Sequence, residues 1–331
     1  MKRAVAAIGL AWLVASPAAA QTSHLLVIVG LAGDRENGDL FHRWAVTLVD
    51  AARDRHGLPA ESIVYLGEDQ TRDAKGITGR STREGVEAAV DRLAARARPG
   101  DRVFIVLIGH GTAGAGESRF NLPGPDLSAR DFARLLAKFG AEFVTFVNTA
   151  SASGGFVAAL AGRDRVVITA TRTDGERNQT RFGEFFAEAI ASAEGDLDKD
   201  GRVSMFEAFT YARRRVAESY EKEGQLLTEH AVLDDDGDGK SSDAAGQPGA
   251  DGALARTLFM TAAADSRAAV EASADPALRA LYDERRAIED RIGALKASKD
   301  RLDPARYEQE MEQLLVELAK KSREIREREK K

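Results

Sequence analysis

Short apolar runs alternate along this chain with stretches in which apolar residues recur every three or four positions, the signature of strands followed by covering helices. The clearest runs are Val103-Phe104-Ile105-Val106-Leu107-Ile108-Gly109 and Phe143-Val144-Thr145-Phe146-Val147-Asn148, apolar at nearly every position as strands covered on both faces require. Leu25 to Val29 is a further strand, and Gly30-Leu31-Ala32-Gly33 turns it into a helix bearing Phe41, Trp44, Ala45 and Leu48. Ser62 to Leu66 predicts another strand and Asp69 to Thr78 a polar loop. Ser81-Thr82-Arg83-Glu84 then carries the capping-box pattern of a helix whose inner face is Val86, Ala89, Val90 and Leu93. Farther on, Val157 to Leu160 and Phe182 to Ile190 predict helices, Val166 to Ala170 a strand and Leu254 to Met260 a closing strand. Strand and helix in alternation predict an α/β fold with a mainly parallel sheet.

The two clearest strands end in His110-Gly111 and in Ser151-Ala152-Ser153-Gly154-Gly155. Parallel neighbours share a carboxyl rim, where open α/β sheets bind ligands, so an imidazole and a small hydroxyl can converge there. His110 reads either as a hydrogen-bonded structural histidine or as a base. The Gly111 and Ser151 amides can form an anion-binding nest, and Ser153 can cap the helix that follows. Asp34, Asp126 and Glu176 lie on loops able to approach that rim. Gly30 to Gly33 lacks the full dinucleotide fingerprint and reads as a tight turn.

Composition narrows the chemistry. None of the 331 residues is Cys, which removes disulfides, thiolate nucleophiles and thiolate zinc sites together. With 53 acidic against 47 basic residues, a net charge of −6 and no basic stripe with interleaved aromatics, nucleic acid is excluded as an expected partner. Residues 1–20 carry Lys2 and Arg3, an apolar run and Ala18-Ala19-Ala20, the pattern of a cleaved signal peptide rather than an anchor, because Ser16-Pro17 interrupts the run. A periplasmic or secreted protein with no membrane segment after cleavage is expected. From Pro276 onward, Leu278, Leu281, Ile288, Ile292 and Leu295, then Met311, Leu314, Leu315, Leu318 and Ile325, predict an antiparallel helical hairpin over 266–331, whose apolar stripe is expected to meet the main domain or another chain as a coiled-coil contact.

The order strand, His-Gly, helix, strand, x-Ser-Gly-Gly resembles the caspase and legumain-like peptidases over Ser23 to Ala263, with the legumain side closer. The resemblance implies a caspase-like three-layer sandwich over 21–265, with His110 at the family's histidine position and Ser151 where its cysteine stands. It also implies that Arg172, after the strand Thr169-Ala170-Thr171, and Ser153 wall a substrate pocket for a peptide or protein ligand. A thiol with a pKa of about 8.5 needs only a loosely placed histidine, whereas a serine hydroxyl needs an aligned base and an orienting third group. Ser151 lacks the Gly-x-Ser-x-Gly elbow. The favoured expectation is an exported pseudopeptidase that keeps a binding cleft. An active serine hydrolase using Ser151 and His110, and an interaction scaffold acting through its C-terminal helices, are the alternatives.

The strongest motif is acidic. Asp196, Asp198, Asp200, Gly201, Arg202 through its carbonyl, and Glu207 fall at the diagnostic positions of a twelve-residue EF-hand calcium loop. Asp234, Asp236 and Asp238 repeat its start, but the twelfth position is Ala245, so this half-motif reads either as a weaker Ca2+ site or as a solvated turn. Residues 194–245 are therefore expected to be a calcium-binding insertion.

Overall fold

The computed structural model describes residues 22–242 except 115 and 200, residues 251–260, scattered positions within 277–295, and residues 303–329. The expected signal peptide lies outside the described residues. Seven strands form the main sheet: β1 Ser23–Val29, β2 Ile63–Gly67, β3 Gly79–Arg80, β4 Arg102–Ile108, β8 Phe143–Asn148, β9 Arg165–Thr169 and β10 Val232–Asp234, in the spatial order β10-β9-β8-β4-β1-β2-β3. Every pairing is parallel except that of β10 with β9.

The apolar runs explain the layering. Along β4, Phe104, Val106 and Ile108 face one core while Val103, Ile105 and Leu107 face the other, so both sets of side chains leave water. On the first face lie α1 (Arg35–Asp50), α5 (Phe182–Ala191) and α6 (Met205–Lys222); on the second lie α2 (Arg83–Arg96), α3 (Ala129–Leu136) and α4 (Gly155–Leu160). This is a three-layer caspase-like sandwich. Between β4 and α3 runs a small antiparallel meander of β5 (Gly111–Gly114), β6 (Glu117–Phe120) and β7 (Leu127–Ser128).

Several expectations need correction. The sheet is closed at that edge by β10, whereas Leu254 to Met260 forms a 3-10 turn at Ala255–Thr257 and a single bridge from Phe259 to Ser204. No capping box starts α2: Thr82 is its N-cap, so the position three residues on is Gly85, which has no side chain to return the bond. The stretch expected as a calcium-binding insertion, 194–245, also contributes to the main domain. Phe206, Phe209, Tyr211 and Val216 bury one face of α6 in the main core, and β10 extends the main sheet. At the C-terminus, Ile288, Ile292 and Leu295 pack with Leu314, Met311 and Leu318 of α7 (Pro304–Glu329), so the two apolar stripes cover one another.

One buried carboxylate links α5 to the approach to β10. Glu229, 3% exposed, accepts hydrogen bonds from Arg181 N at 2.8 and 3.0 Å and from Phe182 N at 3.2 Å, serving the free amides that open α5. Burial outweighs these bonds and pushes its pKa from an ordinary 4.5 up to about 7. The folded chain therefore holds a proton there that the unfolded chain releases, and stability contributed by this group falls as pH rises from about 4.5 to 7. Urea unfolding at pH 5 and 7.5 is expected to show a smaller loss with rising pH in Glu229→Gln than in the parent, by on the order of 3 kcal/mol. Equal pH dependences would remove this role for Glu229.

Candidate functional site

Register brings the two strand ends together. Leu107 of β4 pairs with Asn148 of β8, and the chain beyond β8 is then fastened back onto β4: Thr149 N and Oγ1 both donate to Leu107 O, at 3.0 and 2.8 Å. Asn148 Oδ1 accepts from Ala150 N at 3.0 Å. Ser151 therefore emerges beside Gly111, 5% exposed.

There the hydroxyl and a single peptide unit satisfy each other. Ser151 Oγ donates to Gly111 O at 3.1 Å and accepts from Gly111 N at 3.3 Å. The proton a base would remove is held by a carbonyl, and the Gly111 amide, one of the two expected nest donors, is directed at Ser151 itself. Gly111 must be glycine, since a Cβ would stand 2.2 Å from Ser151 O and 3.1 Å from Arg119 O. Ala152 follows at φ +49°, a left-handed conformation costing a non-glycine residue about 1 kcal/mol, and its amide donates to Glu176 O at 2.8 Å.

Among the described residues no side-chain hydrogen bond joins His110 to Ser151. Its ring stands edge-on to Phe41, with centres 5.0 Å apart, and among the described residues it makes no side-chain hydrogen bond. Asp34 lies within electrostatic reach of His110, yet its carboxylate caps α1, accepting from Asn37 N and Nδ2 at 2.8 Å each, and those bonds hold its pKa below the usual range. Asp126 accepts from Leu122 N, and Glu176 from His230 N. None of the three carboxylates bonds the His110 imidazole.

Ser153 neither caps the helix nor lines a surface. It is 1% exposed, its Oγ 3.0 Å from Thr171 Oγ1, and Asp174 takes the capping role by accepting from Gly155 N at 2.8 Å and from Ser118 Oγ. Arg172, by contrast, is exposed just beyond Thr171. Asp34 also borders a cavity of about 310 Å³ at the carboxyl ends of β1 and β2, together with Leu31, His42, Tyr65, Glu68 and Arg72. In it His42 Nδ1 meets Tyr65 Oη at 2.9 Å, and burial lowers the His42 pKa. These lining residues escape sequence reasoning because they come from separate elements with no shared motif.

Two acidic clusters lie elsewhere. Carboxylate oxygens of Asp196, Asp198 and Glu207 fall within 4.8 Å of one another. Glu207 also organises the loop: Oε1 accepts from Leu197 N and Asp198 N at 2.9 and 3.1 Å, while Oε2 accepts from Ser204 N and Oγ at 2.8 Å each, completing a capping box that opens α6. Asp196 Oδ2 accepts from Gly201 N at 2.9 Å. Asp200 lies outside the described residues, and the Arg202 guanidinium stacks 4.0 Å from the centre of the Phe259 ring. The second cluster is Asp234, Asp236 and Asp251. Asp238, the expected third member, instead accepts from Lys240 N and pairs with its ammonium at 3.7 Å. Asp251 stands outside the motif spacing, and sequence reasoning misses it for that reason. Burial and the neighbouring carboxylates push its pKa up to about 6.

A family model described as the Peptidase C13 family matches residues 62–233, more than half of the chain. No curated protein matches it. The closeness of Gly111 to Ser151 can be measured directly. Gly111→Ala is expected to destabilise the protein by about 1–3 kcal/mol in chemical denaturation, because backbone rather than a mobile side chain blocks the added methyl. A neutral result would show that the two strand ends are farther apart.

Proposed function

The chain belongs to the Peptidase C13 family, and on that premise we propose that it is an exported pseudopeptidase: a legumain-like fold that keeps a ligand cleft at its carboxyl rim and does not cleave peptides. A single observation carries the reading. The hydroxyl at the nucleophile position is closed into a two-way hydrogen bond with Gly111, while His110 packs against Phe41. A cysteine peptidase tolerates loose geometry because its thiolate is nucleophilic unaided; a serine enzyme requires the aligned base that this arrangement lacks. The cavity bordered by Asp34, His42, Tyr65 and Arg72 supports retained binding of a peptide or other polar ligand. Export rests on the residue pattern of 1–20. Among the described residues no helix is long and apolar enough to cross a membrane.

A fluorophosphonate probe tests the central point. Purified protein is expected to label no more than its Ser151→Ala variant; labelling that disappears in the variant would instead establish a working serine nucleophile.

Calcium forms the second part of the reading. Asp196, Asp198 and Glu207 present hard oxygen donors in one small volume, with Asp200 at the remaining motif position, and a cation there would relieve the repulsion among them. An ion bound only by the folded state adds about 2.7 kcal/mol at a hundredfold excess over Kd. Chelation is therefore expected to lower Tm, and Glu207→Gln to reduce that calcium-dependent shift, in melts recorded with and without millimolar calcium. Identical melts in both conditions would reduce the loop to an acidic turn.

A further inference from the structure

We infer that Asp234, Asp236 and Asp251 form a second calcium-type site, independent of the Asp196–Glu207 loop, whose ion ties the end of β10 to the chain segment beginning at Asp251. The three carboxylates come from two stretches of chain, and their oxygens lie within 4.8 Å of one another, a span that one cation with bonds of about 2.3–2.6 Å can bridge.

Proximity alone is insufficient, since acidic turns satisfy themselves through backbone amides. One oxygen of each carboxylate here does so. Asp234 Oδ2 accepts from Gly239 N at 2.8 Å, Asp236 Oδ1 from Asp238 N at 2.9 Å, and Asp251 Oδ1 from Asp235 N at 3.2 Å. A buried oxygen of Asp234 is left over. Asp234 is fully buried, and its Oδ1 has no hydrogen-bond partner. A buried carboxylate oxygen left unmatched carries a desolvation penalty of a few kcal/mol, which native proteins avoid by supplying a donor or an ion. Among the described residues no Lys or Arg pairs with Asp234, Asp236 or Asp251, because Lys240 is spent on Asp238. The buried unmatched oxygen thus belongs to a member of the same unneutralised carboxylate cluster.

The donor set is all oxygen, which selects a hard cation and excludes a thiolate- or imidazole-type metal site. Two separate segments closing on one ion suit calcium's flexible coordination better than magnesium's strict octahedron. Asp235, next in sequence, already laces the segments together: its Oδ1 accepts from Gly252 N and its Oδ2 from Ala255 N, at 2.8 and 2.9 Å. The ion would complete a junction the backbone has begun.

The test counts ions. Metal-stripped full-length protein is titrated with calcium alone by equilibrium dialysis and calorimetry, alongside Asp251→Asn, Asp236→Asn and Glu207→Gln. Parent protein is expected to bind two ions, and each Asp variant one, with the lost site weakened at least tenfold. In Asp251→Asn the side-chain carbonyl can still accept from Asp235 N, so the melt of this variant in chelator should match that of the parent in chelator; if it does not fold, the exposed Asp236→Asn answers alone. Unchanged stoichiometry and affinity in both Asp variants would overturn the second site. Loss of one ion in Glu207→Gln reports separately on the first loop, so failure of either site is distinguishable from failure of the other, and a parent that binds no calcium overturns both.

Discussion

The in-register parallel pairing of β1, β4 and β8 is the constraint from which the rest follows. Each of these strands is apolar on both faces, and each can bury its alternating side chains only if helices cover the sheet above and below. Once Leu107 is set opposite Asn148, the chain has no freedom in where Gly111 and Ser151 emerge: they meet at one rim, held by Thr149 on the Leu107 carbonyl. The site geometry is thus a product of core burial. A shift of register by one residue would turn Val103, Ile105 and Leu107 out of their core, so the rim is fixed about as firmly as the fold itself.

On that fixed rim, a hydroxyl and a thiol behave differently. Oxygen is small and forms short, strong hydrogen bonds with backbone groups, and Ser151 finds both a donor and an acceptor in Gly111. A sulfur at the same position is a weak donor and a weak acceptor, and would gain little from that peptide unit. The same scaffold that leaves a thiolate available can therefore engage a serine. Phe41 adds to this by packing against the face of the site where His110 stands, and Asp34 is committed to capping α1 rather than to orienting the imidazole. Ser151 and Asp34 are thus each hydrogen-bonded to groups other than the imidazole.

What the chain discloses without a structure depends on how local the signal is. The central strands are legible because six or seven consecutive apolar residues have few alternatives, and the Peptidase C13 match bears out the legumain-like resemblance. The acidic loop is legible because its spacing is written into twelve residues. By contrast, β10 is three residues long, and nothing in Val232-Leu233-Asp234 announces an antiparallel edge. Ser153 looks like a cap because it precedes two glycines, but the hydroxyl of Thr171, eighteen residues away, competes for it and Asp174 replaces it. Asp251 is invisible for the same reason: its partners are set by the path of the chain, not by its neighbours in sequence. Within 194–245 the acidic spacing is a sharper local signal than the helical periodicity of α6, which the core requires.

That last point bears on what cations would do. Glu207 opens α6 through a capping box, and Asp234 closes β10, so both acidic clusters sit at the boundaries of elements that complete the core. α6 buries Phe206, Phe209 and Tyr211 against α5, whose N-terminal amides are in turn satisfied by the buried carboxylate of Glu229, just ahead of β10. Charge is therefore concentrated where the last layer joins the sheet. In the calcium reading, an ion at Glu207 would stabilise the start of α6 and an ion at Asp234 the end of β10, so both would act on the same stretch of chain from its two ends. Neither would touch the Ser151–Gly111 contact, which is held by the central strands. Stability of the outer layer would then respond to calcium while the rim stayed unchanged.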